Sequence, residues 1–232
     1  MSALKARYRQ LAKDSRQPEG LSLITLFWLF IAGSLMGFVM EGVWHFIRTG
    51  SWGFRVATIW GPFCIIYGVG VVVMYLIALA VEKKPPLFQF LVFCLAGSAV
   101  EYVSSLFQEI CFGTVSWDYS HHAMNIGGRI SLQMTMVWGA IGMLLMYGIL
   151  PLLLSAFNRM RLGSRTRLCR MAAAFMCVNL LMTCVALHRW QERVEFDLPA
   201  SNAIEAYMDQ KWPDDRMQQR FPNMEFTSSV NP

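Results

Sequence analysis

Charge is what this sequence has least of. Asp, Glu, Lys and Arg make up only 15% of its 232 residues and hydrophobic residues 55%, whereas a water-soluble domain carries about 25% charged residues. The chain has too little polar surface to cover itself in water. Its mean hydropathy of +0.40 agrees, and it reads as an integral membrane protein. Other absences narrow the chemistry. There is no GxxxxGK[ST] loop, so this chain cannot power transport with ATP by itself, and no HExxH, GxSxG or dinucleotide fingerprint. The six cysteines lie in or beside apolar runs with no CxxC, and the His121-His122 pair has no cysteine nearby. Neither a disulfide framework nor a metal site is expected, and no cofactor is implied.

The net charge is +5 and the pI about 9.0. The basic residues flank apolar runs, so lipid headgroups and topology account for them and nucleic acid is not an expected partner. Segments of about 20 apolar residues cross a bilayer core about 30 Å thick. Five are expected, over 21–44, 57–81, 87–111, 132–155 and 171–187, giving an all-α bundle. A basic segment, 1–20, precedes them as part of a retained anchor. A polar, amphipathic tail, 188–232, follows.

The distribution of Lys and Arg orients the bundle. Placing the amino terminus in the cytoplasm puts Lys5, Arg7, Arg9, Lys13, Arg16, Lys83, Lys84, Arg159, Arg161, Arg165, Arg167 and Arg170 on that side, against Arg48, Arg55 and Arg129 in the opposite short loops. The expected location is the cell membrane. Within the bundle the sequence repeats. Gly37 to Glu41 matches Gly97 to Glu101, and Ser51-Trp52 matches Ser116-Trp117. Thr58 to Gly61 is paired with Thr135 to Gly139, and Tyr67-Gly68 with Tyr147-Gly148. Two like-oriented helical hairpins plus one extra helix are inferred, with a polar site at the hairpin interface. Gly33 and Gly37 form a GxxxG, which suits close helix packing inside the monomer or in a dimer; the first is expected, since the chain has partner helices of its own.

Glu41 and Glu101 are the principal site candidates, because an ionisable group within a span normally faces protein, water or a partner. Gly97, Ser98, Ser104, Ser105 and Gln108 share a helical face with Glu101 and make a polar stripe toward the bundle interior. The loop after that helix supplies Asp118, Tyr119, Asn125, Gly127, Gly128 and Arg129. Glycine backbone there can turn N–H groups toward an anion, and Arg129 offers a fork for carboxylate or phosphate. The alternative keeps Trp117 and Tyr119 as interfacial residues and ties Arg129 to Glu101 or Glu109. In the tail, Asn202 and Glu205 have capping-box spacing ahead of a helix to Lys211, and Pro213 opens a second over 214–220. The tail reads as a lid or brace.

Glu41, Trp60 to Gly68, Glu101 to Ser105, Trp117 to Ser120, Asn125 to Ser131, Trp138-Gly139, Pro213 to Met217 and Phe221 to Met224 together resemble the bacterial CmpB-like family. The likeness runs from about Gly33 to Phe226. The family carries the label of a type IV ABC-transporter permease, so the resemblance implies a transport component working with a separate ATPase. On that reading an outer-side site recognises a polar or anionic solute or a lipid headgroup, with the bilayer as surroundings and a homo-oligomer left open. Two alternatives remain: a membrane-embedded enzyme acting on lipid or wall precursors, with Glu101 or Asp118 as base and Arg129 on phosphate, and a noncatalytic subunit of a membrane complex.

Overall fold

The computed structural model describes residues 22–53, 55–159 and 162–227. The expected basic segment 1–20 and the orienting residue Arg161 lie outside the described residues. Helix α1, Leu23–Thr49, has 27 residues and ends where Gly50 turns left-handed and donates its N–H to Phe46. At 1.5 Å per residue it is about 40 Å long, so it outlasts the expected span by a turn. Arg48 sits in that last turn, where helix carbonyls favour a cation.

Helix α2, Ile65–Val81, corrects the second expected span. Residues 57–64 are as apolar as a membrane helix, yet they form an irregular loop. Pro62 lacks an N–H and pushes the residue before it away from the helical region, and Gly61 adopts φ +74°. Such backbone survives inside a membrane protein only if protein groups satisfy it. Here they do: Ala57 N–H donates to Phe63 O at 2.8 Å and Cys64 N–H to Ser34 O at 3.0 Å. Ile59 and Trp60 N–H donate to Thr183 Oγ1 and Asn179 Oδ1, and Asn179 Nδ2 returns a bond to Trp60 O.

Helix α3, Pro86–Phe112, starts on a proline at its first turn, where the missing N–H costs nothing. Helix α4, Leu132–Leu144, is capped by the Ser131 hydroxyl and passes through a π-helical turn, Leu145–Ile149, into α5, Leu150–Arg159. Pro151 explains the widened turn: it cannot donate to Tyr147 O four residues back, and its ring crowds that carbonyl. Helix α6, Leu162–Phe196, has 35 residues, far beyond the expected 171–187, and crosses the expected tail boundary at 187/188 without a break. The charges that ended the apolar run do not end the helix, because Arg189 and Arg193 find carboxylates in the tail.

Among the described residues four apolar helices are long enough to cross a bilayer, the α4–α5 rod counted as one, and α2 adds a shorter fifth. The chain is an all-α, multi-pass membrane protein. Helices α1 and α2 form one hairpin, α3 and the α4–α5 rod the other, and α2 also packs on α3. Gly33 and Gly37 face Val71 and Tyr67 of α2, so this GxxxG does pack within the monomer. One core lies between the hairpins around Leu29, Met74, Phe93 and Met146. A second gathers Trp190 of α6 with Met208, Met217, Phe221 and Phe226 of the tail.

The tail folds as expected into α7, Ala203–Lys211, and α8, Asp214–Arg220. The Asn202 side chain accepts from the N–H groups of Ile204 and Glu205, and Glu205 reaches back to Ser201 N–H. A two-residue strand, β1 (Thr114–Val115), pairs antiparallel with β2 (Glu225–Phe226), fastening the tail to the loop after α3. The tail thereby lies at the same end of the bundle as the α1–α2 and α3–α4 loops.

Candidate functional site

Each hairpin builds the same contact. Gly97 of α3 has no Cβ, and one placed there would lie 2.3 Å from Trp138 Cβ. The indole of Trp138 therefore seats against the α3 backbone, and its Nε1–H reaches Glu101 Oε2 at 2.9 Å, one turn further along. In the first hairpin Gly37 admits Tyr67 in the same way, and the Tyr67 hydroxyl donates to Glu41 Oε1 at 2.6 Å. A step of sixty residues relates both glycine and both glutamate positions. The packing thus pairs Tyr67-Gly68 with Trp138-Gly139. This corrects the sequence pairing of Trp60 with Trp138 and of Tyr67 with Tyr147. Trp60 lies in the irregular loop, and Tyr147 bonds to Gln89.

The two hairpins are complementary as well as alike. Gly33 of α1 faces Val71, whereas at the matching places Phe93 of α3 faces Gly142. Large and small residues have exchanged sides. Where the hairpins meet, the Tyr67 and Trp138 rings lie 6.1 Å apart, so the donors of both glutamates touch.

Both carboxylates line a cavity of about 530 Å³ bounded by α2, α3, α6 and the tail. Glu41 is held by Tyr67 and, more loosely, by Arg55 at 3.4 Å. Arg55 also meets Asn223: with its amide oxygen toward the guanidinium, Asn223 accepts from Nε at 3.1 Å. Glu101 is 4% exposed and accepts from Trp138 and from the Tyr119 hydroxyl at 2.9 Å. Both donors are neutral, and among the described residues no cation pairs with Glu101. The phenol of Tyr119 is pushed well above its usual range by burial and by the adjacent carboxylate, so it stays a donor.

Of the other loop candidates, none lines this cavity. Asp118 is exposed and accepts from Ser120 N–H at 2.8 Å and Ser120 Oγ at 2.7 Å, which holds its carboxyl below the ordinary range. Asn125 donates to Ser120 O and His122 O and accepts from Gly128 N–H. Gly127 and Gly128, with φ +57° and +68°, turn the chain so that Ile126 bridges Ile130. The Gly128 N–H is therefore already used, and these residues build the loop. Arg129 pairs with Glu109, donates to Ser105 Oγ at 3.1 Å and lies over Tyr102. The fork expected for an anion is engaged within α3, as the structural alternative had it.

The polar stripe faces inward: Ser98 bonds to Thr135, Ser105 to Arg129, and Gln108 to Thr114 and Ser116. Sequence reasoning missed Arg55, Tyr67, Trp138 and Asn223 as site residues. A signal was present for two of them, since an aromatic residue before glycine opens the second helix of each hairpin.

No curated protein and no solved structure matches the chain. A family model described as "Putative ABC-transporter type IV" matches residues 28–184, about two-thirds of the chain, taking in both hairpins and most of the apolar part of α6. The chain belongs to this family, the CmpB-like group of ABC-transporter-type membrane proteins.

Proposed function

We propose that the protein is the membrane component of a transporter and that the cavity holding Glu41 and Glu101 is its recognition site, with a separate ATPase subunit supplying the energy. Glu101 carries this reading. A buried carboxylate held by two neutral donors, with no cation beside it among the described residues, presents an unbalanced negative charge to the cavity whenever it is ionised. In the low dielectric of a membrane interior that charge favours a cationic or proton-donating group on whatever enters. Arg55, shared between Glu41 and Asn223 near the loops, adds one positive group to the same wall. With the amino terminus in the cytoplasm, as the positive-inside count favours, the cavity sits in the outer half of the cell membrane.

The test is accumulation by ATP-loaded membrane vesicles from cells with and without this protein, offered a labelled panel of small amines and amine-headed lipids. Glu101→Gln should lower protein-dependent uptake at least tenfold at neutral pH, whereas Asp118→Asn, which keeps the loop turn, should leave it unchanged. Uptake indifferent to Glu101→Gln sinks the assignment.

A further inference from the structure

Part of the cavity's lining reaches the apolar outer surface of the bundle. Val103 and Phe107 of α3 line it and are 62% and 57% exposed, and Val69 of α2 and Cys184 of α6 line it and are exposed too. Val103, Phe107 and Cys184 lie on helices long and apolar enough to cross the membrane and Val69 on the shorter apolar α2, so the surface they expose faces lipid chains rather than water. Elsewhere in the bundle apolar exposure is the ordinary lipid-facing surface. Here it borders a cavity whose lining also holds two carboxylates and a guanidinium. The space has an apolar flank beside the lipid-facing surface and a charged end under the loops. Its volume of about 530 Å³ lies within the 300–1,000 Å³ usual for small-molecule sites.

We infer that the ligand is an amine-headed phospholipid that enters sideways between α3 and α6, its ammonium group meeting Glu101 and its phosphate meeting Arg55, with hydrocarbon filling the apolar flank. This deepens the transport reading and rests on it. Charge decides the headgroup. Arg55 stands against Glu41, and Glu101 is the acid left without a cation among the described residues, so a head with an ammonium beside its phosphate supplies the missing positive group, whereas a head bearing only a phosphate would face the acids uncompensated. The hydrocarbon supplies residence. A chain moving from bilayer to cavity exchanges one apolar setting for another, so affinity against other lipids comes from the head, while affinity against water comes from the chain. The same site therefore discriminates by headgroup among lipids and by chain among amines.

The test uses the full-length protein in nanodiscs made from equal amounts of phosphatidylethanolamine and phosphatidylglycerol, with retained lipid read by native mass spectrometry after gentle release. The amine-headed lipid should be retained at least fivefold over the glycerol-headed one. Glu101→Gln should bring the ratio near one, and Glu101→Asp, which keeps the charge, should restore most of it. Val103→Trp, on the proposed entry path, should lower retention of both lipids. Ile110→Trp, at an exposed α3 position outside the cavity lining, should not. In detergent solution lysophosphatidylethanolamine should bind at least a hundredfold more tightly than chainless glycerophosphoethanolamine. Equal retention of the two lipids by the wild type, or equal binding with and without the chain, overturns the lipid assignment. If uptake of a soluble amine still depends on Glu101 in that case, the recognition site stands and only its lipid occupant falls. If neither lipid retention nor amine uptake responds to Glu101→Gln, both readings fall together.

Discussion

Alanine at position 97 would place its methyl 2.3 Å from the Cβ of Trp138 and about as close to the indole ring, which backbone or ring movement alone can relieve. Overpacking of this kind costs about 1–3 kcal/mol, and here the displaced indole is also the donor that holds Glu101. Gly97→Ala is therefore expected to lower the unfolding temperature in detergent and to reduce ligand binding together. Gly127→Ala should cost only the strain of its positive φ, because nothing lies within 4 Å of the added methyl. Thermal unfolding followed by intrinsic fluorescence, read beside lipid retention, separates the two. At this scale the sequence discloses the acids well, since a carboxylate inside an apolar run is conspicuous. It conceals which neighbours they take. Tyr67 and Trp138 look like ordinary membrane aromatics until glycine on the facing helix brings them to a carboxylate, and that depends on the register between helices. Arg129 misleads for the complementary reason: Glu109 lies close enough to engage it first.

The long helix α6 shows how an element outruns its hydrophobic run. Arg189 is 2% exposed, and its guanidinium takes both carboxylate oxygens of Asp209, at 2.8 and 2.9 Å, with Glu192 at 3.1 Å. Arg193 reaches Asp209 and Asp214, tying α7 and α8 to α6. Removing one partner of a buried pair costs about 3–5 kcal/mol, and since Asp209 is partly exposed the lower end applies to Asp209→Ala. That variant should release α7, seen as faster hydrogen exchange over 203–226, while the membrane helices stay protected. Acid should act in the same direction. Bonds from Arg189 and then Arg193 hold the Asp209 carboxyl below its ordinary 3.8. Its contribution is thus complete above that value and is lost as pH falls through the depressed one. Exchange in the tail, corrected for intrinsic rate, should rise below about pH 4 in the wild type and rise less in Asp209→Asn, where the Glu205 cap still titrates. The two tail helices are legible in advance because their caps are local, Asn202 with Glu205 and Pro213 before an acidic turn. The shortened α2 is harder to read. Pro62 marks the break, but an apolar loop is tolerated only because Asn179 and Thr183, more than a hundred residues away, satisfy it.

For the whole molecule, the helical, multi-pass bundle is legible in the sequence, while the closure of its loop end is a tertiary fact. Phe221, Pro222, Asn223 and Met224 line the cavity, and Arg220 bonds to the carbonyls of Thr58 and Gly61. Val115 and Glu225 are direct partners across the small ladder, and paired strand residues sit about 4.5–5.5 Å apart at Cα, within reach of a disulfide. The double variant Val115→Cys/Glu225→Cys should therefore gain about 2–4 kcal/mol on oxidation, read as a higher unfolding temperature than in the reduced form. If ligand enters through the bilayer, the oxidised protein should keep its lipid retention. Loss of retention on oxidation, regained on reduction, would show that the route runs under the tail instead.

The ladder also imposes an order on biogenesis. Thr227 bonds to Gly113 across 114 positions of chain, so the ribosome delivers Glu41 and Glu101 to the bilayer long before the segment that roofs them. During that interval the half-made compartment is open at its top, and a nascent chain halted before residue 221 would expose its carboxylates to water. Docking of residues 221–227 is thus the event that seals the compartment, and cleavage just before them would undo the seal while leaving every membrane crossing in place.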